Sequence, residues 1–132
     1  MSYEIYRSPL THRYSSDEML KLFSMQTRYS KFRLLWLYLA KAQKKLGLNI
    51  TDEQLDEMQN NIENIDFEKV EEFEIELHHD VMAHLHTFAN QCRKAKPIIH
   101  LGATSCYLTD NADLIIYKEA LFLIKNKLKT FY

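Results

Sequence analysis

An all-α fold is predicted for this chain by three observations. It holds only two Gly and two Pro in 132 residues, which favours long helices and few tight turns. Apolar residues recur at helical spacing, most clearly at Leu114, Tyr117, Leu121, Ile124 and Leu128, a 3-4-3-4 heptad seam that asks for a partner helix. No strand-like alternation, internal repeat or low-complexity tract interrupts this pattern. The length suffices for one domain with its own core. Lys and Arg number 17 against 18 Asp and Glu, a net charge of −1, so no strong field draws the chain to nucleic acid or to acidic membranes. The longest apolar run, Leu34 to Ala40, is too short to span a bilayer. Cys92 and Cys106 have no metal-ligand spacing. No secretory segment follows Met1, so a cytoplasmic location with free thiols is expected.

The elements follow in order. The first twelve residues read as irregular, with Pro9 among them. Ser15 and Glu18 form a capping-box pattern ahead of Met19, Leu20 and Phe23, marking a short helix. A second helix is predicted over about Ser30–Leu46, stopped by Gly47. Its centre, Leu34 to Leu39, is apolar on every side and marks the core helix. Thr51 and Gln54 form a capping box, with Ile50 and Leu55 as its hydrophobic staple. Asp66 caps the next helix, with Ile65 and Val70 as staple. Glu68, Glu71, Glu72, Glu74 and Glu76 on that helix read as a solvated face rather than a metal site. The chain breaks near His78 or His79 and re-enters a helix over about Asp80–Cys92, with Asp80 capping or beginning it. A loop over Arg93–Leu108 contains Pro97 and Gly102. A last helix is expected from near Asp110 to Tyr132, where no Gly, Asn or Pro ends it, as if the chain were cut within its seam.

Three groups carry candidate chemistry. Arg13 and Tyr14 stand just before a helix start. A guanidinium binds phosphate or carboxylate bidentately, although the pair alone reads more readily as a surface Arg beside a half-buried Tyr. His78, His79 and Asp80 set imidazoles against a carboxylate, the usual means of fixing a tautomer for proton transfer. Exposed histidines around a capping Asp are the plainer alternative. Asp80 and His84, four residues apart, belong to no recognised metal-ligand set, so no metal is expected. His84 and His86 read as packing or surface residues, with a hydrogen bond from His84 to Asp80 conceivable. Gly102, Thr104 and Ser105 place a flexible backbone and two hydroxyls before a helix N-terminus. That suits an anion, as it would also suit a simple turn.

The run His79-Asp80-Val81-Met82-Ala83-His84-x-His86-Thr87-Phe88, the run Ile99-His100-Leu101-Gly102-Ala103-Thr104-Ser105-Cys106 and the early Arg13-Tyr14 resemble the N-terminal part of the adenylosuccinate lyase family, in the fumarase/aspartase superfamily. The resemblance extends from Arg13 to the last residue. Thr104-Ser105-Cys106-Tyr107 followed by Thr109-Asp110-Asn111 brings it nearest the animal-type branch. It implies an N-terminal helical domain over residues 1–108, followed over 109–132 by the first helix of a central bundle that builds a homotetramer. It further implies substrate binding by Arg13, Tyr14, His78, His79, Asp80, Thr104 and Ser105, with His79 assisting the acid–base chemistry. Arg13 and Tyr14 would meet the nucleotide phosphate region, and Thr104 and Ser105 the succinyl part. The family usually has Arg or Lys where His78 stands, which weakens the case for anion binding there. The substrates implied are adenylosuccinate and succinylaminoimidazole-carboxamide ribotide, and the products include AMP and fumarate. No cofactor, nucleic acid or membrane is implied. Family members are several-fold longer. Their principal general acid is a His in the central domain, and their base is a Ser in a Gly-Ser-Ser loop that this sequence lacks. The chain is therefore expected to be a piece of a longer enzyme and inactive alone. A natural short nucleotide-binding or helical interaction module is the alternative.

Overall fold

The computed structural model describes residues 4–130, so Met1 and Tyr132 lie outside it. Among the described residues the fold is all-helical: α1 (Asp17–Leu22), α2 (Met25–Lys45), α3 (Asp52–Asn60), α4 (Phe67–Leu77), α5 (Asp80–Gln91) and α6 (Ser105–Lys129). A short π-helical turn, Leu10–Tyr14, precedes them where irregular chain was expected.

Local chemistry sets the helix ends. Ser16, not Ser15, caps α1 by accepting from the Met19 N–H, while the Ser15 hydroxyl donates to Leu10 O at 2.7 Å. Helix α2 begins five residues earlier than expected because Ser24 accepts from the Thr27 N–H. At its other end Gly47 (φ +97°) adopts the left-handed conformation. There Leu48 N donates to Gln43 O and Gly47 N to Lys44 O, the paired bonds that let glycine close a helix. Both halves of the Thr51–Gln54 capping box form, and Asp66 accepts from the Lys69 N–H. Helix α6 starts at Ser105 rather than near Asp110, so residues 108 and 109 both lie inside it. The loop that was expected to extend to Leu108 ends at Thr104.

Helix α2 is the centre of the core. Phe32, Leu35, Trp36, Leu37 and Ala40 are buried with Val81 and Phe88 of α5, Met58 of α3, and Leu108 and Ala112 of α6. Burial is not all-round as expected, because Tyr38 is exposed. Ion pairs Arg28–Asp113 and Lys31–Glu119 flank the α2–α6 contact, and the Tyr107 hydroxyl of α6 donates to Leu35 O. The apolar stripe Leu114, Tyr117, Leu121, Ile124 and Leu128 stands exposed on α6. No described helix is long and apolar enough to cross a membrane.

The core also holds a cation. Arg33 of α2 is only 1% exposed. Its guanidinium donates to Asn61 O at 2.5 Å, Asn64 O at 2.8 Å and Gln91 Oε1 at 2.7 Å, and lies 4.6 Å from the Phe88 ring centroid. Burial pulls its pKa down to about 10, which leaves it charged at neutral pH. A buried charge needs partners for its donors; both terminal nitrogens of Arg33 find oxygen acceptors, and only Nε has none among the described residues. Arg33 thereby joins the α3–α4 connection to α5. We predict that Arg33→Ala, which strands the Asn61 carbonyl and the Gln91 amide oxygen, lowers unfolding free energy by about 3 kcal/mol. Urea denaturation of the two proteins measures this, and a loss below about 1 kcal/mol, the size of one ordinary hydrogen bond, would refute it.

Candidate functional site

The α4–α5 corner is built by two histidines in different backbone states. His78 ends α4 in the left-handed conformation (φ 51°), a state that costs a non-glycine residue about 1 kcal/mol. His79 is extended (φ −151°) and is itself the N-cap of α5. Its Nδ1 accepts from the Met82 N–H at 3.4 Å. Asp80, expected either to cap or to begin the helix, begins it and does not cap it. Its Oδ1 accepts from the Val81 N–H at 2.7 Å and lies 3.8 Å from His79 Nδ1. With Nδ1 accepting, a neutral His79 ring carries its proton on Nε2. The corner thus offers one N–H donor beside one carboxylate, both about half exposed.

Under this corner lies an aromatic cluster. His84, one turn into α5, stacks on Tyr29 of α2 with centroids 3.4 Å apart and meets Phe32 and Phe67 edge-on. It is a packing residue, as expected, but it makes no hydrogen bond to Asp80. Its buried Nδ1 has no partner among the described residues. Burial first, and Arg33 second, push the His84 pKa down to about 4, with Asp80 opposing. Burial and the Asp80 and Glu74 charges hold the Tyr29 phenol above its usual range. His86 is half-buried against Phe73 at 5.4 Å.

The second segment precedes α6. Gly102 takes φ +70°, so its role is a left-handed turn. Thr104 occupies the N-cap position without making a side-chain cap bond, and Ser105 is the first helical residue. The opening N–H groups of a 25-residue helix are thus left without a side-chain acceptor beside two hydroxyls, an arrangement that favours an anion. The signal that sequence reasoning missed is His100, whose Nδ1 accepts from the buried Trp36 indole at 3.0 Å. Arg13 and Tyr14 sit exposed on the π-helical turn.

The structure brings His78, His79 and Asp80 together, and likewise Thr104 with Ser105. Among the described residues no hydrogen bond, ion pair or ring contact links these two groups to each other or to Arg13–Tyr14. Apolar hollows along α6, lined by Leu121, Ile124 and Leu128 and by Ile115 and Phe122, involve none of them. The carboxylates of α4 remain solvated, and no described group of three or more His, Cys, Asp or Glu is arranged to hold a metal. Cys92 is buried, its thiol pushed up to about 12 chiefly by burial, whereas Cys106 is exposed and free.

No family model matches the chain. Individual relatives do. It is 50% identical to the adenylosuccinate lyase of Schistosoma mansoni over 125 residues, which is 95% of this chain and 26% of that protein. It is 50% identical to that of Saccharomyces cerevisiae over 129 residues, 96% of the chain and 27% of the relative. To that of Pyrococcus horikoshii it is 33% identical over 123 residues, 92% and 27%. The chain therefore spans about a quarter of the length of these curated relatives.

Two outcomes are expected from the corner. His78→Gly removes the left-handed penalty and stabilises the chain by about 0.5–1 kcal/mol, read as a raised Tm; an unchanged or lower Tm contradicts it. His84 makes stability pH-dependent. Unfolded, it binds a proton below about pH 6.5, whereas folded it binds one only near pH 4. Stability therefore falls as pH falls between these values, by about 1.4 kcal/mol per unit. Urea unfolding at pH 5 is expected to show about 2 kcal/mol less stability than at pH 7, and His84→Phe should remove most of that difference. Equal slopes for the two proteins would remove His84 as the cause.

Proposed function

Since this chain is homologous to adenylosuccinate lyases over nearly all of its length, we propose that it forms a substrate-binding portion of such an enzyme. The proposed reaction is β-elimination of adenylosuccinate to AMP and fumarate, and of succinylaminoimidazole-carboxamide ribotide to its carboxamide and fumarate. A base takes the proton next to a carboxylate, and the carbanion is held as an aci-carboxylate. The C–N bond then breaks and the departing nitrogen is protonated. The charge that builds on the carboxylate needs fixed donors. Purine and AMP biosynthesis, a homotetrameric assembly and a cytoplasmic location belong to the same proposal.

The observation that carries this reading is the pair of prepared termini: a corner offering the His79 donor beside Asp80, and an α6 N-terminus left uncapped at Thr104 and Ser105. In the proposed roles, Arg13 and Tyr14 take the phosphate region, and His78 adds a polar contact beside His79 and Asp80. Thr104 and Ser105 take the succinyl carboxylates with hydroxyls and backbone N–H groups. His79 donates through Nε2 and assists proton transfer, while the principal acid and base come from outside these 132 residues. No metal or organic cofactor enters the chemistry.

A hybrid tests the reading. The 129 matching residues of the Saccharomyces cerevisiae relative are replaced by this chain. The hybrid is expected to cleave adenylosuccinate, and His79→Ala or Thr104→Ala to lower its kcat/KM by about 100-fold. The isolated chain is expected to release no fumarate. An active hybrid indifferent to both substitutions would reject these assignments, and turnover by the isolated chain would reject the division of labour.

A further inference from the structure

Between α5 and α6 the chain is anchored by buried Cys92, Ala95, Ile98 and Ile99. It then reverses through two left-handed residues, His100 (φ 68°) and Gly102 (φ 70°). Glycine adopts this state freely, whereas histidine does so at a cost. His100 is tied in place by Trp36. The indole N–H donates to His100 Nδ1 at 3.0 Å, with the two rings perpendicular and their centroids 6.0 Å apart. Trp36 is 1% exposed, so its N–H has no recourse to water, and an indole can only donate. Nδ1 of His100 must therefore be unprotonated.

The rest of the turn is built on this point. Ala103 N donates to His100 O at 3.2 Å and Leu101 N to Ile98 O at 3.4 Å. Leu101 O accepts from Gln43 Nε2 at 2.7 Å. Thr104 and Ser105 follow directly.

We infer that His100, carrying its proton on Nε2, is the positioning residue of the Thr104–Ser105 turn, fixing the start of α6 by holding the Trp36 indole. Burial keeps its pKa below the usual histidine range, in keeping with a ring that stays neutral. The inference rests on the reading of Thr104 and Ser105 as substrate contacts.

The test uses the ¹⁵N-labelled 132-residue chain. Trp36 is its single tryptophan, so one indole resonance reports the bond. At neutral pH the His100 ring is expected to show Nδ1 bare and Nε2 protonated. His100→Gly relieves the backbone but deletes the acceptor. It should shift the indole resonance, move the Thr104 and Ser105 amide resonances and speed Ala103 amide exchange by about tenfold, while α3 is untouched. His100→Asn tolerates the left-handed backbone and offers an oxygen to the indole, and it should restore all three. A protonated Nδ1, or Ala103 exchange in His100→Gly within about twofold of the native rate, overturns the inference. Indifference of the hybrid enzyme to Thr104→Ala would sink the substrate assignment while leaving these spectra unchanged, so the two failures are distinguishable.

Discussion

The stacking of His84 on Tyr29 and the bonds from Trp36 to His100 and from Gln43 to Leu101 all spring from one stripe of α2. Residues 29, 36 and 43 lie seven apart, two turns each, so they share a face. That face holds the α4–α5 corner at one level and the α5–α6 turn at another. Both are irregular backbone, which elsewhere would be mobile. Here each is joined to a helix that is itself buried through Phe32, Leu37 and Ala40. Both candidate segments therefore take their positions from one rigid element.

The same helix sets the electrostatics. Arg33 puts a positive charge inside the core, where its two terminal nitrogens donate to three oxygen acceptors, none of them a carboxylate, while its Nε has no partner among the described residues. The charge reaches His84 and, with burial, keeps that ring neutral. Asp80 opposes from the outer side of α5. Charge is thereby sorted by depth: cation and neutral imidazole inside, carboxylate and donor imidazole at the half-exposed corner. The Asp80 carboxylate there is about half exposed, open to a bound molecule.

Much of this was legible in the sequence, and the exceptions share a cause. The Thr51–Gln54 box, the Asp66 cap and the Gly47 stop are local chemistry, and each occurs where expected. Where two serines compete, as at Ser15 and Ser16, spacing alone does not choose. The tie is broken by Ser15 bonding back to Leu10, in a turn the pattern does not announce. Ser24 as the start of α2 is hidden because the residues that follow, Met25 to Tyr29, are mostly polar or half-exposed. His79 as a cap was missed because histidine is not a usual N-cap. His100 and Arg33 owe their roles to partners 64 and 28 or more residues away, which periodicity cannot reveal.

The candidate groups sit on open ground. His79 and Asp80 are about half exposed, Thr104 is exposed, and Arg13 and Tyr14 stand apart on their own turn. Hydrogen bonds and charges gain their catalytic strength where water is excluded. On the proposed reading, these donors need further protein surface above them before they can stabilise a developing carbanion. The exposed stripe of α6 from Leu114 to Leu128 is apolar surface that such a neighbour could cover, because its burial would return about 25 cal/mol for each Å² removed from water. On that same proposal, α2 presets the donors, and the apolar stripe of α6 is the surface left for the neighbour that completes their surroundings.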